Sequence, residues 1–379
     1  MIISESLKQK IPENLKPTLR ILLKCFRPLK RNPVKEFKIK RLQEKLLREK
    51  YSLNTKRLII FLTPGYDTVS GGILSISSIY EESIKFKSIH KAEVIMCTIP
   101  GNPLLLRYTK FNNQNYIYRF SQVLSYFQNL QNLMIHIPEY CINQFLKNVD
   151  YLRLNQIKNL QFNIMLQNIE LLDKKENIEK LKTIGKVTCT TAHEQYSTIE
   201  MREKLGFPLH KLSVYGSPEQ YKKERYVAKE NLMIISPDSH PQKYEVLNLI
   251  SKRFPQLKIL IIKNLTYDEY KNVISRAKWA LTFGEGLDGY FVETIFSGGV
   301  SFAVYNSTFF TKDFKSLRTV YDSYDLLIKK ISLDIKDLDN EITYTNYQKK
   351  QYELCCKYYD YKNYINNLEL FYRGKYTYK

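Results

Sequence analysis

Phe283-Gly284-Glu285-Gly286-Leu287-Asp288-Gly289-Tyr290-Phe291-Val292-Glu293 is the stretch on which the fold reading turns. An apolar run at 279–283 leads into it. A short run ending in Ser297-Gly298-Gly299 leads out, so the stretch reads as the turn between a buried strand and a helix. In an open parallel sheet, ligands sit outside the carboxyl ends of the strands, and this loop lies at one. Its glycines let backbone approach a ligand closely, and the following helix N-terminus offers N–H groups and a positive dipole end to a phosphate. Glu285 stands at the mouth of the loop. Glu293 falls one helical turn in, where a carboxylate can accept hydrogen bonds from a ribose diol.

Working outward, apolar runs at 232–235, 259–262 and 300–304 join the one at 279–283, separated by helical patterns at 243–253, 267–276 and 291–296. Upstream the same texture recurs. Strand runs at 58–62, 94–97, 133–137, 162–166 and 187–190 alternate with helical stretches near 73–84, 120–130, 175–182 and 198–205. Continuous apolar strands separated by helices mean parallel sheet covered on both faces. The expected fold is therefore α/β, with two Rossmann-like doubly wound domains facing a cleft. The 379 residues suit two domains of ordinary size. We place the first domain at 57–212 and the second at 230–340, joined by a polar, charged linker at 213–229. A basic amphipathic helical extension occupies 1–56. A helical segment at 341–379 carries eleven Tyr and Phe residues, a mixture that suits packing or contact with a membrane or single-stranded nucleic acid.

The formal net charge of +21 calls for an anionic partner, and residues 1–56 concentrate it, with 16 Lys/Arg against 5 Asp/Glu. Leu15, Leu19, Leu22, Leu23 and Phe26 recur at helical spacing beside Lys16, Arg20, Lys24 and Arg27, until Pro28 stops the run. Leu42, Leu46 and Leu47 with Arg41, Lys45 and Arg48 repeat the pattern. Such helices lie in a bilayer interface with cations on anionic headgroups, so residues 1–50 are expected to meet an anionic membrane surface. The same pattern also fits a helix packed on its own protein with a solvated basic face. No signal-peptide region or run of about 18 apolar residues is present, and the six cysteines show no metal-ligand spacing. The expected setting is cytoplasmic, peripheral at the inner face of the membrane. Helix-turn-helix, zinc and RNP-type signatures are absent, so no nucleic-acid partner is expected.

Two glutamates separated by seven residues, behind a glycine-rich turn and before a Gly pair, resemble the E-x7-E motif of GT-B glycosyltransferases. Within that fold the stretch resembles the large retaining GT4-like family that builds lipopolysaccharide, capsule and glycolipid sugars. The resemblance implies that Glu285 holds donor-sugar hydroxyls as the catalytic-site glutamate and that Glu293 holds the nucleotide ribose. Gly286, Leu287, Asp288 and Gly289 would form the donor loop, although Asp288 stands where the family has glycine. Gly71-Gly72, after the strand at 58–62 and Asp67, matches the family's Gly-Gly turn near the diphosphate. Within 236–243, Lys243 matches the family's phosphate-binding lysine. The expected arginine is missing, with Pro237 or Asp238 near its place and His240 a candidate substitute. The first domain also lacks the family's histidine after a middle strand. Gln167 and Asn168 stand there and can only hydrogen-bond, His193 is a further candidate, and His136 reads as a core residue.

The implied reaction is transfer from a nucleoside diphosphate sugar to a hydroxyl of a glycan or lipid-linked acceptor. By resemblance it is retaining, without metal or cofactor, and helped by closure of the domains about the linker. A GT-B scaffold subunit, a basic nucleic-acid-binding protein and another nucleotide-sugar enzyme such as an epimerase remain as alternatives.

Overall fold

The computed structural model describes residues 33–68, 70–111, 114–212 and 220–379. The expectations for residues 1–32 and for 213–219 of the linker lie outside the described residues. The described chain forms two α/β units, one from 33–212, 266–268 and 358–379, the other from 220–265 and 269–357.

The first unit is built on seven parallel strands: β1 (Arg57–Thr63), β2 (Glu93–Thr98), β3 (Ile117–Arg119), β4 (Asn132–Pro138), β5 (Asn159–Leu166), β6 (Lys186–Thr191) and β7 (Leu209–Lys211). Their order is β3-β2-β1-β4-β5-β6-β7, so the winding reverses between β1 and β4. Helices α1 (Pro33–Lys50), α2 (Gly71–Lys85), α3 (Lys87–His90), α4 (Phe120–Tyr126), α5 (Ile142–Asn148), α6 (Tyr151–Asn155), α7 (Lys175–Ile184) and α8 (Ile199–Leu205) accompany it. Because helices cover both faces, consecutive residues such as Ile60, Phe61 and Leu62 are all fully buried, which is why the strands read as unbroken apolar runs.

The second unit holds five parallel strands: β8 (Glu230–Ile235), β9 (Lys258–Ile261), β10 (Ala277–Leu281), β11 (Val300–Val304) and β12 (Val320–Tyr321). The order β12-β11-β10-β8-β9 reverses between β8 and β10. Helices α9 (Lys243–Arg253), α10 (Tyr267–Arg276), α11 (Gly289–Phe296), α12 (Tyr324–Leu338) and α13 (Glu341–Tyr359) complete it. Trp279, Phe283, Phe291 and Phe302 are fully buried around the central strands.

The last helix, α14 (Tyr361–Tyr372), returns to the first unit. It buries Tyr364, Leu368 and Phe371 there, and the Tyr372 hydroxyl bonds Ser83 Oγ at 2.6 Å. Beyond it Leu209 and Tyr378 exchange two backbone hydrogen bonds of 2.9 Å, adding to the sheet edge. Packing thus takes up much of the aromatic tail.

Helix α1 meets the first unit through one face, with Leu47 buried and Gln43 Nε2 donating to Ile117 O at 2.6 Å. Its opposite face leaves Val34, Phe37 and Leu42 exposed among Lys38, Arg41 and Lys45. Among the described residues, no helix is long and apolar enough to cross a membrane. Cys97, Cys189 and Cys355 are buried free thiols.

Candidate functional site

In the second unit the loops following β8 and β10 lie side by side at the point where the strand order reverses, the position at which an open α/β sheet opens a crevice. Ser236 ties them together: its hydroxyl accepts from Phe283 N at 2.9 Å, and its own N–H donates to Leu281 O at 3.1 Å. Two glycines set the path of the β10 loop. Gly284 has φ +72°, and a Cβ there would meet Asp238 Cβ at 3.4 Å. Gly286 has φ +77°, and a Cβ would fall 2.8 Å from Val304 O. Both need the left-handed region that glycine enters without penalty.

The residues expected from sequence distribute as follows. Glu285 is partly buried at the turn, while Leu287 turns its side chain into the core at 5% exposure. Asp288 is the N-cap of α11, its Oδ1 accepting from Phe291 N at 3.0 Å. Gly289 opens the helix, and a Cβ on it would stand 3.4 Å from Glu293 Oε1. Lys243 is buried, with its ammonium donating to Ser236 O at 2.6 Å and Asp238 O at 2.7 Å. It grips the turn rather than pointing to solvent, and burial lowers its pKa. His240 stacks on Tyr324 with ring centroids 3.6 Å apart, and its Nδ1 accepts from Gln242 N at 3.2 Å.

The charge is predominantly acidic. Burial, then the neighbouring Asp238, push the Asp288 carboxyl well above the usual range, opposed by the Phe291 N–H, with Glu285 and Glu293 adding further repulsion. Burial raises Asp238 also, against a hydrogen bond from Ser236 and the Lys243 charge. Glu293 is pushed up to about 7 by burial, although the hydroxyls of Tyr270 and Tyr221 and the charge of Lys271 pull it down. Asp238, Tyr221, Tyr270 and Tyr324 were not among the expected site residues. Asp238 was visible only as a departure from a motif, and the tyrosines carry no signal in a chain with 30 of them.

In the first unit a smaller group gathers at the carboxyl ends of β1, β5 and β6. Ser70 caps α2, its hydroxyl accepting from Ile73 N at 3.3 Å. Gln167 Nε2 donates to Gly72 O at 3.3 Å, and a Cβ on Gly72 would fall 2.7 Å from Gln167 Oε1. A Cβ on Gly71 would meet nothing within 4 Å. The His193 ring bonds the Gln167 carbonyl, while burial lowers its pKa to about 4. Asn168 serves the turn: its N–H donates to Glu139 Oε1 at 2.9 Å and its Oδ1 accepts from Glu170 N at 2.9 Å. Asp67 accepts from the Thr109 N–H at 3.0 Å and from the Thr109 hydroxyl, fixing the loop after β2. His136 is a core residue, stacked on Phe61 at 4.1 Å and lowered to about 3, chiefly by burial. Among the described residues, no three His, Cys, Asp or Glu side chains converge where a metal ion could sit.

No protein-family model matches the sequence, and no curated protein matches it either. Solved structures do match in fold. HepE of Anabaena, in complex with UDP and glucose, superposes with a TM-score of 0.51 at 8% identity, over 84% of this chain and 98% of that one. A glycosyltransferase from Rickettsia africae gives a TM-score of 0.49 at 12% identity over the same shares, 84% and 98%. The β-glucosyltransferase of phage T4 gives 0.47 at 10% identity, over 84% of this chain and 99% of that one. The two parallel-sheet units and the likeness to HepE together give the chain the GT-B fold.

Proposed function

We propose that this GT-B chain is a glycosyltransferase that takes a sugar from a nucleoside diphosphate sugar and places it on a hydroxyl acceptor. The observation that carries the reading is the position of Glu285 and Glu293. They bracket the glycine turn and helix start at the carboxyl end of β10, beside the reversal of strand order. The HepE structure, similar in fold, holds UDP and glucose, which agrees with this donor class.

In the reaction, the bond between the anomeric carbon and the diphosphate oxygen breaks, and its electron pair leaves on the diphosphate. The acceptor oxygen bonds to that carbon and gives up its proton to the departing diphosphate. Glu285 orients the sugar hydroxyls and Glu293 takes the ribose. The amides at the start of α11 are the donors to the developing phosphate charge. We take the transfer to be retaining, with no metal or further cofactor, as in the GT4-like family that the motif resembles. The exposed apolar and basic face of α1 supports a peripheral position on an anionic membrane at its inner, cytoplasmic side. That placement favours a lipid-linked acceptor, or a growing surface polysaccharide of the capsule or lipopolysaccharide kind.

One observation favours a second reading, a non-catalytic scaffold of a polysaccharide assembly: Lys243 is spent on the turn, and Asp238 and Asp288 put carboxyls where the diphosphate would lie. A thermal-shift panel of UDP, ADP, GDP, CDP and their sugars on wild type and Glu293→Ala tests the donor site. Saturation at 100 times the dissociation constant adds about 2.7 kcal/mol. Stabilisation by one base, lost in the variant and followed by turnover of that sugar, establishes the enzyme. Stabilisation without sugar transfer or hydrolysis favours the scaffold. A folded protein that no nucleotide shifts sinks the enzyme reading and leaves the scaffold.

A further inference from the structure

The end of the chain, α14 and the residues after it, is seated on the first unit over three histidines. The His90 ring lies 4.9 Å from that of Tyr372. His136 lies 5.6 Å from Phe371, and His210 lies 5.8 Å from Phe371 and 6.3 Å from Tyr376. His136 and His210 are 1% exposed, and His90 is half-buried.

The hydrogen bonds around each ring fit the neutral imidazole. His210 Nε2 donates to Asn367 O at 2.7 Å while its Nδ1 accepts from Thr377 N at 3.2 Å, so the chain end engages both nitrogens. His90 Nε2 donates to Ser83 O at 2.9 Å, and its Nδ1 accepts from Ala92 N at 3.1 Å. Ser83 in turn holds the Tyr372 hydroxyl. His136 Nδ1 accepts from Asn163 Nδ2 at 3.0 Å, and its Nε2 has no partner among the described residues. An imidazolium donates from both nitrogens, so a second proton on any of these rings sets one N–H against another. Burial disfavours the charge at all three. The titratable groups around them do little to offset it. Glu93 and Lys87 act on His90 with opposite signs, His90 opposes a charge on His136, and the chain end brings the rings of Tyr372 and Tyr376.

We propose that residues 361–378 form a strap that three neutral histidines latch to the first unit, and that acid releases the strap while the sheet stays folded. This stands apart from the donor reading. Once the strap lifts, the uncovered histidines return towards their ordinary value of about 6.5. The released state then binds more protons, so docking weakens as pH falls below that value, by up to about tenfold per unit for each histidine freed. The strap also braces the carboxyl end of β6. The Tyr378 hydroxyl donates to Ser197 O at 2.9 Å, and Tyr378 pairs with Leu209 on β7. Release therefore loosens the turn that follows His193.

Amide hydrogen exchange of the full chain, corrected for the intrinsic rate at each pH, tests this between pH 7.5 and 5. The strap should be protected at pH 7.5. Its protection should fall by more than tenfold from pH 6 to 5, which takes more than one proton. Residues 194–197 should follow, while β4 and β5 keep their protection. Two variants remove one titrating ring each. His210→Gln keeps a donor for Asn367 O and an acceptor for Thr377 N. His136→Phe keeps a ring stacked on Phe61. In each, the fall from pH 6 to 5 should shrink severalfold.

A strap unprotected at pH 7.5, or equally protected at pH 7.5 and 5, overturns the proposal. Loss of protection in step with β4 and β5 overturns it too, since that is global unfolding. An unchanged fall in folded His210→Gln does the same, and if that variant does not dock at pH 7.5, an unchanged fall in His136→Phe decides against the latch.

Discussion

Asp288 closes the N-terminus of α11 on itself: its carboxylate accepts the amide of Phe291 at 3.0 Å, and Asp238 from the adjoining loop repels it. The helix end that would receive a phosphate already holds an acid. A carboxyl lifted by burial and by a like charge is protonated at low pH and ionises as pH rises, so its repulsion of a diphosphate grows in the same direction.

Asp288→Asn keeps an N-cap of equal quality and removes the charge. Nucleoside diphosphate affinity, measured by calorimetry, should rise several-fold at pH 8.5 and less at pH 6. Asp288→Ala should instead lose the cap and about 1 kcal/mol of stability. Identical affinities for wild type and Asp288→Asn at both pH values would mean that the diphosphate does not approach this helix.

Two neighbouring glycines should behave differently. Gly71→Ala puts a methyl where nothing lies within 4 Å, at the first turn of α2, so stability should hold or improve by up to about 1 kcal/mol. Gly72→Ala meets Gln167 Oε1 at 2.7 Å and must displace that side chain. It should cost about 1 kcal/mol, much of it recovered in the double variant with Gln167→Ala. Urea unfolding of wild type, Gly71→Ala, Gly72→Ala, Gln167→Ala and the double variant checks this, and additive effects of Gly72→Ala and Gln167→Ala would show that Gln167 is not what the methyl meets.

How much of this was legible beforehand differs by element. β11 at Val300–Val304, α9 at Lys243–Arg253 and α10 at Tyr267–Arg276 match their sequence patterns residue for residue, because each has an apolar period and clear flanks. β10 runs at Ala277–Leu281, two residues earlier than the apolar run implied, since Thr282 and Phe283 are already turning into the loop. α4 stops at Tyr126 rather than near 130, with Phe127 closing it by a bond to Val123 O at 3.1 Å. β3, β7 and β12 span two or three residues, too short for any period, and are paired only because a longer neighbour offers its edge. At the site, Gly284 and Gly286 could be read because they need positive φ, whereas the Tyr221 and Tyr270 contacts come from separate elements and leave no local pattern.

Lys229 joins the elements that carry the site. Its buried ammonium donates to Ser297 O at 2.6 Å, Ser275 O at 2.9 Å and Ile274 O at 3.4 Å, tying the ends of α10 and α11. Lys229→Met should leave these carbonyls unmet and cost about 3 kcal/mol, with nucleotide affinity falling as Tyr270 and Glu293 lose register. Burial lowers the lysine to about 7, below its unfolded value, so the folded state binds fewer protons between about 7 and 10.5. Wild-type stability therefore gains on the variant as pH rises through that window. Parallel unfolding curves at pH 7 and 10 would show that the lysine is ordinarily charged.

Glu293 gives the opposite slope in a lower window. Its folded pKa of about 7 lies above the unfolded value of 4.5, so the native state holds the extra proton and loses stability as pH rises from 4.5 to 7. At about 1.4 kcal/mol per unit, the loss is about 3 kcal/mol. Glu293→Gln has no proton to release, so its stability relative to wild type should climb across that window and stay level above it. His136 and His193, lowered to about 3 and about 4, lose stability on acidification in both proteins and cancel in the difference. Above pH 7 the wild-type carboxylate is ionised against its surroundings, and a ligand diol bonded to it relieves that cost. Stabilisation by a bound nucleotide should then increase with pH in wild type relative to Glu293→Gln, the contribution of Asp288 being common to both; the same pH dependence in both would place the nucleotide away from Glu293.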